Sequence, residues 1–443
     1  MVSRRDFVKK TGLASAGIAM GGTVASAQGY RRIMGANDRI RLAIIGLGRR
    51  LGAFVEPISK KENNVELGYL CDVMPSQLER AAERFSGQID HQPGLENDLR
   101  NLLEDHQLDA VINATPDHWH TPGSILAMQA GKHVYVEKPV SHNMEENRLL
   151  VQAAGKYNRV VQAGTQQRSS GHTIEAINMI HEGAIGKAYK AVAFYTNDRG
   201  RVPNQKPAPV PGGLDWDLFQ GPAPRREYSE ETWNYNWHWY GWEYGTAESG
   251  NNGTHEMDVA RWALQVDYPE HVVVDGHKGQ FRDDGWEMYD HMEATFRFSG
   301  GKSIKWDGRS RTGYDTYGGG RGTIVYGSEG SVFIDRGKAL FYDREGNAVQ
   351  TIGGVSSEAG TALGGGGSMS TRHVENFFQA IRGKETLCAP VGNIAISHAM
   401  VHFTNVAYRI GNSFEAGDSG IMLNRKAMEL WSRNYEPGWE ITL

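Results

Sequence analysis

Short apolar strands alternating with amphipathic helices over residues 39–160, a glycine turn closing the first strand, and a change beyond residue 160 to closely spaced strands predict an α/β chain. The first part is expected to be a doubly wound parallel sheet, and the second an α+β domain with a largely antiparallel open sheet. At 443 residues the chain exceeds the length one hydrophobic core usually supports, so two domains are expected, over 39–160 and 161–443.

Taken in order, Ser3-Arg4-Arg5-Asp6-Phe7-Val8-Lys9-Lys10 precedes a small-residue apolar run from Leu13 to Val24, then Ala25-Ser26-Ala27, which has the small-x-small form of a cleavage site. The segment resembles a twin-arginine export signal. Residues 1–27 are therefore read as a cleaved signal peptide and 28–38 as a linker, with a mature protein that is periplasmic or otherwise exported by the twin-arginine machinery. The apolar run is too short and too rich in Gly and Ala for a spanning helix, and no stable membrane insertion is expected.

Ile40 to Ile45 reads as a buried strand running into Gly46-Leu47-Gly48, with a helical pattern from about Gly52. Val65 to Cys71 is a second strand, ended by Asp72, and Pro75 to Phe85 a helix with Leu78, Ala81, Ala82 and Phe85 on one side. Asp109 to Ala114 and His133 to Val136 are further strands, separated by a helix over Gly123–Ala130. Beyond residue 160, strands are expected at Lys187–Tyr195, His271–Asp275, His291–Phe298, Lys302–Asp307, Gly322–Tyr326 and Ser331–Asp335. Helices at Ser170–Glu182, His255–Leu264, Arg372–Ile381 and Asn393–Ile410 are expected to cover one face. Pro203 to Tyr244, rich in Pro, Gly and Trp and without a period, reads as a lid or binding loop.

A net charge of -5 with no long run of like charge leaves no footprint for nucleic acid. Cys71 and Cys388 are too few for a disulfide framework or a cysteine metal site. No H-E-x-x-H or equivalent spacing occurs, and no metal is assigned.

A strand ending in a glycine turn before a helix presents unpaired backbone N–H groups to a pyrophosphate, so the first domain reads as a Rossmann domain with Gly46 and Gly48 against the phosphates. The third glycine of G-x-G-x-x-G would fall at Leu51 and is displaced to Gly52. Asp72, ending the second strand, suits the ribose hydroxyls of NAD and repels a 2′-phosphate; Arg49 and Arg50 could hold that phosphate instead, so NAD is expected and NADP is second.

Thr115-Pro116-Asp117-His118-Trp119-His120 after one strand, Glu137-Lys138-Pro139 after another, and Gly253-Thr254-His255-Glu256-Met257-Asp258 together resemble the Gfo/Idh/MocA oxidoreductases, the group named for glucose-fructose oxidoreductase and inositol dehydrogenase. The resemblance runs from about Arg41 to the C-terminus. Trp216-Asp217-Leu218 through Gly221-Pro222-Ala223-Pro224, with Asn251-Asn252-Gly253-Thr254-His255, is similar to exported bacterial members. The resemblance implies that Lys138 supplies positive charge and relays a proton and that His255 accepts one, with Thr115, Pro116, His118, His120 and Glu137 on the cofactor side. As the first residue of an apolar helix, His255 should have its pKa lowered by the helix N-terminus. Many sugar dehydrogenases of the family carry Asp four residues before that histidine; Asn251 stands there, with Asp258 one turn beyond as a substitute.

The aromatic run Trp233 to Tyr244 leads into this segment, and Trp233, Trp237 and Trp239 are candidates to stack on sugar rings, with Gln166 and Arg168 as further substrate candidates. The resemblance implies an NAD(P)-dependent oxidoreductase acting on a secondary hydroxyl of a sugar, polyol or glycoside, and a homo-oligomer, dimer or tetramer. Free nicotinamide cofactor is scarce outside the cytoplasm, so the cofactor is expected to be tightly bound and recycled within the cycle. Redox-neutral glycoside cleavage is the alternative, since a glycosidase subfamily of the group works through transient oxidation at C3; its members tend to lack the lysine present here as Lys138. A non-catalytic sugar-binding protein is the third reading.

Overall fold

The computed structural model describes residues 38–354, 367–411, 413–417 and 419–443, so the export signal read over 1–27 lies outside the described residues. Six strands form the first sheet: β1 (Ile40–Ile45), β2 (Val65–Cys71), β3 (Gly94–Glu96), β4 (Ala110–Asn113), β5 (His133–Val136) and β6 (Val161–Ala163). They are all parallel, in the order β3-β2-β1-β4-β5-β6. The chain winds outward from β1 on one side and resumes at β4 on the other. The switch point therefore opens between the carboxyl ends of β1 and β4, where doubly wound sheets bind ligands. β6 still pairs with β5, so the first domain runs past residue 160.

The second sheet has nine strands: β7 (Lys190–Thr196), β8 (His271–His277), β9 (His291–Arg297), β10 (Ser303–Arg309), β11 (Arg321–Tyr326), β12 (Ser331–Ile334), β13 (Lys338–Tyr342), β14 (Ala348–Gly353) and β15 (Phe414–Glu415). Their order is β14-β13-β12-β11-β7-β10-β9-β8-β15, and only β7 and β10 pair in parallel. Helices Gly171–His181, Thr254–Leu264 and Val391–Ile410 belong to this half, and their buried side chains join Trp306, Phe296 and Ile334 in one core.

Several features depart from the sequence reading, among them β3, β6, β15 and the helix Met144–Tyr157, which it did not name. The helix expected over Gly123–Ala130 begins at Asp117, because the carbonyl of His118 that Pro122 cannot bond within the helix accepts from Arg433 Nη2 at 2.7 Å. β14 escaped notice because it buries only Ile352, leaving no apolar alternation to read, and β13, a five-residue strand that buries Ala339 and Phe341, went unread beside it.

Later segments return to the first domain. Val374, Phe377 and Phe378 of the helix Ser368–Ile381 pack on one face of the parallel sheet; Ala389, Val391 and Ile394, with Trp439, Ile441 and Leu443, pack on the other. Among the described residues no helix is long and apolar enough to cross a membrane, and no cluster of His, Cys, Asp or Glu is placed to hold a metal.

Candidate active site

A cleft of about 420 Å³ lies over the switch point, walled by strand ends of the first domain and by loops of the second. Gly46 has φ +87°, and a Cβ there would meet the Ala114 carbonyl oxygen at 2.5 Å, so only glycine lets β1 and β4 end side by side. Gly48 has nothing within 4 Å of where its Cβ would be, leaving the turn open. Asp72 accepts the backbone N–H of Leu47 at 2.8 Å on one oxygen and that of Met74 at 3.0 Å on the other. Burial pushes this carboxyl up to about 6 against those two bonds and the charge of Arg80.

The two arginines that could have held a 2′-phosphate are engaged elsewhere. Arg50 Nε donates to Glu137 at 2.7 Å, and the Arg49 guanidinium lies over the Tyr235 ring at 4.1 Å, reaching across the cleft. For Glu137, burial acts upward, but the charge and hydrogen bond of Arg50 prevail and hold it below the usual carboxylate range. Thr115 and Pro116 line the cleft beside them. His120 ties the two first-domain loops together, its ring nitrogens facing the Pro139 carbonyl at 2.5 Å and the Thr115 carbonyl at 2.8 Å. An open glycine turn at the switch point and a carboxylate at the end of the second strand fit an NAD, with Gly46 and Gly48 for its phosphates and Asp72 for its ribose.

Lys138 extends from the end of β5 to the second domain. Its Nζ donates to the Asn251 carbonyl at 2.7 Å and lies 3.4 Å from Asn251 Oδ1. Asn251 sits in a π-helical turn, Ser249–Gly253, that runs straight into the helix Thr254–Leu264; such widened turns free carbonyls for other partners. Gly250 permits the turn, since a Cβ there would collide with Thr246 Oγ1. Burial lowers the Lys138 ammonium's pKa, against the charges of Asp117 and Glu137.

His255 lines the same cleft, and its Nδ1 is buried without a partner. The helical path begins at Ser249, so His255 does not occupy a helix end as its sequence position suggested. Its basicity is lowered by burial, then by Arg336, Lys138, Arg321 and Arg50. Trp233, Trp237, Gln166 and Asn251 also face the cleft.

Four candidates do not. Arg168 and Asp258 form a buried pair with bonds of 2.7 and 2.8 Å, and Asp258 also accepts from Ser397 at 2.6 Å, so it cannot support His255 and neither residue reaches substrate. Trp239 is 2% exposed and stacks on Trp286 at 3.9 Å. His118 is buried with Nε2 on the Phe219 carbonyl at 2.8 Å. The sequence reading missed Tyr195, Asn197, Arg199 and Arg336, which line the second-domain wall. Asn197 and Arg199 follow the end of a strand, a position that could have drawn attention; Arg336 in its turn gave no signal.

A parallel sheet with its switch point under a second domain, and Gly46, Gly48 and Asp72 at the strand ends, defines a two-domain nicotinamide-dinucleotide-binding class. The chain belongs to the Gfo/Idh/MocA oxidoreductases. Residues 40–165 match the model described as the oxidoreductase family, NAD-binding Rossmann fold, and residues 193–338 match that family's C-terminal alpha/beta domain. A glycosyl hydrolase family 109 protein of Shewanella baltica is 29% identical over 214 residues, 44% of this chain and 46% of that protein. Another, from Saccharopolyspora erythraea, is 30% identical over 212 residues, again 44% of this chain and 46% of that one. The chain thus spans about half the length of the curated relatives it matches. Among solved structures, the aldose-aldose oxidoreductase from Caulobacter crescentus complexed with glycerol aligns with TM-score 0.63 at 17% identity, over 85% of this chain and 99% of that one. The WlbA dehydrogenase from Bordetella pertussis, in complex with NADH and UDP-GlcNAcA, aligns with TM-score 0.63 at 18% identity, over 86% and 99%. At these identities the likeness is one of fold.

Proposed function

We propose that this protein is an NAD-dependent oxidoreductase acting on a secondary hydroxyl of a sugar, polyol or glycoside, and that it retains its cofactor between turnovers. The observation that carries this reading is that Lys138, held 2.7 Å from the Asn251 carbonyl, and His255, whose Nδ1 is buried without a partner, line the cleft that contains Gly46, Gly48 and Asp72. When bound, the nicotinamide supplies a hydride acceptor and, once reduced, a hydride donor. Lys138 sets positive charge beside the hydroxyl oxygen as it becomes a carbonyl oxygen. His255, kept neutral by burial and by neighbouring cations, has a lone pair for the hydroxyl proton. Trp233 and Trp237 offer faces to the sugar ring. Retention is supported by the reach of Arg49 across the cleft to Tyr235, and export by the twin-arginine route, which we propose with it, would put a folded passenger where free cofactor is scarce.

The names of the curated relatives favour a second reading, redox-neutral cleavage of a glycoside. Oxidation of the hydroxyl at C3 acidifies the neighbouring C2–H. Loss of that proton with departure of the aglycone oxygen from C1 leaves a double bond, water adds across it, and the carbonyl is reduced back, so the hydride taken equals the hydride returned.

The test is the mass and spectrum of the nucleotide released from denatured, purified protein, followed by product analysis with glycosides. Stoichiometric NAD(H) is expected. An oxidised sugar with its linkage intact supports the first reading; a free aglycone with no net NADH supports the second. A protein that neither carries nor binds the nucleotide overturns both. For the proposed export, N-terminal sequencing from the periplasmic fraction should begin near Gln28; for the proposed dimer or tetramer, the mass in solution decides.

A further inference from the structure

Cations crowd the second-domain wall and the layer behind it, and most have a carboxylate partner. Arg321 pairs with Glu256 at 2.5 Å and Arg199 with Glu248 at 3.1 Å, while Arg50 from across the cleft pairs with Glu137 at 2.7 Å. Arg336 is different. It stands in the turn between β12 and β13, lines the cleft, and its Nε is fully buried without a hydrogen-bond partner. Among the described residues no carboxylate pairs with it; Glu256, whose charge reaches it, is taken by Arg321. Burial, then the charge of Arg321, lowers this guanidinium to about 9. A guanidinium does not give up its proton within a folded protein, so such an imbalance calls for an anion instead.

Other atoms on the cleft residues are also unsatisfied, among them Arg50 Nη2 and Gln77 Oε1 on the cofactor side. Gln166 Oε1 is a buried acceptor without a donor, and His255 Nδ1 has no partner. The cleft therefore lacks one planar anion beside Arg336 and hydroxyl groups beside Gln166 and His255.

Resting on the oxidoreductase reading above, we infer that the substrate is an acidic sugar, a uronic acid or its glycoside, whose carboxylate pairs with the Arg336 guanidinium. One planar fork matches one planar carboxylate, whereas a phosphate dianion would need further cations, and those nearby are committed. The pairing has a chemical consequence. Arg336 is, after burial, the strongest influence lowering the basicity of His255. A carboxylate on Arg336 offsets that charge, so the acidic substrate restores the basicity of the group that takes its hydroxyl proton. A neutral sugar leaves it suppressed.

The experiment uses purified holoenzyme and matched panels: 4-nitrophenyl glucuronide and galacturonide, the corresponding glucoside and galactoside, and their 6-sulfates. Reduction of the bound cofactor is followed by its absorbance. The acidic sugar of the reacting pair is expected to exceed its neutral counterpart in kcat/KM by about tenfold or more. Arg336→Gln should remove most of that ratio while keeping its nucleotide content, and Arg336→Lys should recover part of it. The pH profile with the uronide should also lie at higher pH than with the neutral sugar. Preference for the neutral or sulfated sugar, an unchanged ratio in Arg336→Gln, or loss of bound nucleotide from that variant, which would assign Arg336 to the cofactor, would each overturn the inference. A loaded holoenzyme reduced by no member of the panel overturns the oxidoreductase reading itself, and the inference with it.

Discussion

On the first-domain side of the cleft, Asp72 accepts two backbone N–H groups and Glu137 neutralises Arg50 at 2.7 Å. Behind that wall buried histidines find partners within the protein: His398 accepts from the Val140 N–H at 3.2 Å, His402 bonds the Ser141 hydroxyl, and His373 bonds the Ala163 carbonyl. Across the cleft, His255 Nδ1 and Arg336 Nε are buried without partners. On the first-domain wall the Arg50 charge is paired within the wall, and such a wall can hold the same cofactor at every turnover. A wall with an unpaired buried charge is completed by whatever it selects, because an unmet buried group costs more than a weak bond gains.

Acid should break the comparison most strongly, from the first-domain side. Burial, the leading cause for each, lowers His118, His398 and His402 to about 3 and His373 to about 4. The unfolded chain protonates these residues near pH 6.5, so their stability is present above that value and is lost as pH falls toward the folded values, by about 1.4 kcal/mol per pH unit for each. Asp72, raised to about 6, acts in the opposite direction as pH falls below 6. Denaturant midpoints measured from pH 7 to pH 4 should decline; a flat profile would mean that the histidines are not buried neutral.

Trp239→Ala should cost about 3–5 kcal/mol in urea unfolding, because it empties the stack on Trp286. Lys138→Ala should reduce turnover about 100-fold or more while the nucleotide stays bound; wild-type turnover would remove the lysine from proton transfer. Asp72→Asn should weaken NADH binding about tenfold and narrow its advantage over NADPH, measured by fluorescence titration. The smallest effect is expected for Trp237→Ala, which should raise KM about threefold to tenfold with little change in unfolding midpoint.

The two walls also differ in how far the sequence revealed them. Gly46, Asp72, Thr115 and Lys138 each lie within two residues of the end of an apolar strand, so recognising the strand was enough to find the residue. Arg321 faces Tyr195 only because β11 and β7 pair in one register, and that pairing joins segments far apart in the chain. Trp237 and Trp239 lie two residues apart in one aromatic run; Trp286, distant in sequence, decides which is core. The Arg168–Asp258 pair escaped for the same reason: each side chain is polar and site-like until its partner is known. Local pattern identified what strand ends present, and long-range pairing determined the rest.

The return of later segments to the first domain sets a timetable for synthesis. Val374, Phe377 and Phe378 cover one face of the parallel sheet, and Trp439, Ile441 and Leu443 help to cover the other. When the ribosome has made residue 165 the parallel strands and the helices between them exist, but the part of each outer layer that the later segments supply does not, and more than half of the chain is still to come. The domain made first is covered in full only when its last segments arrive, so apolar surface on both faces of its sheet stays open during synthesis.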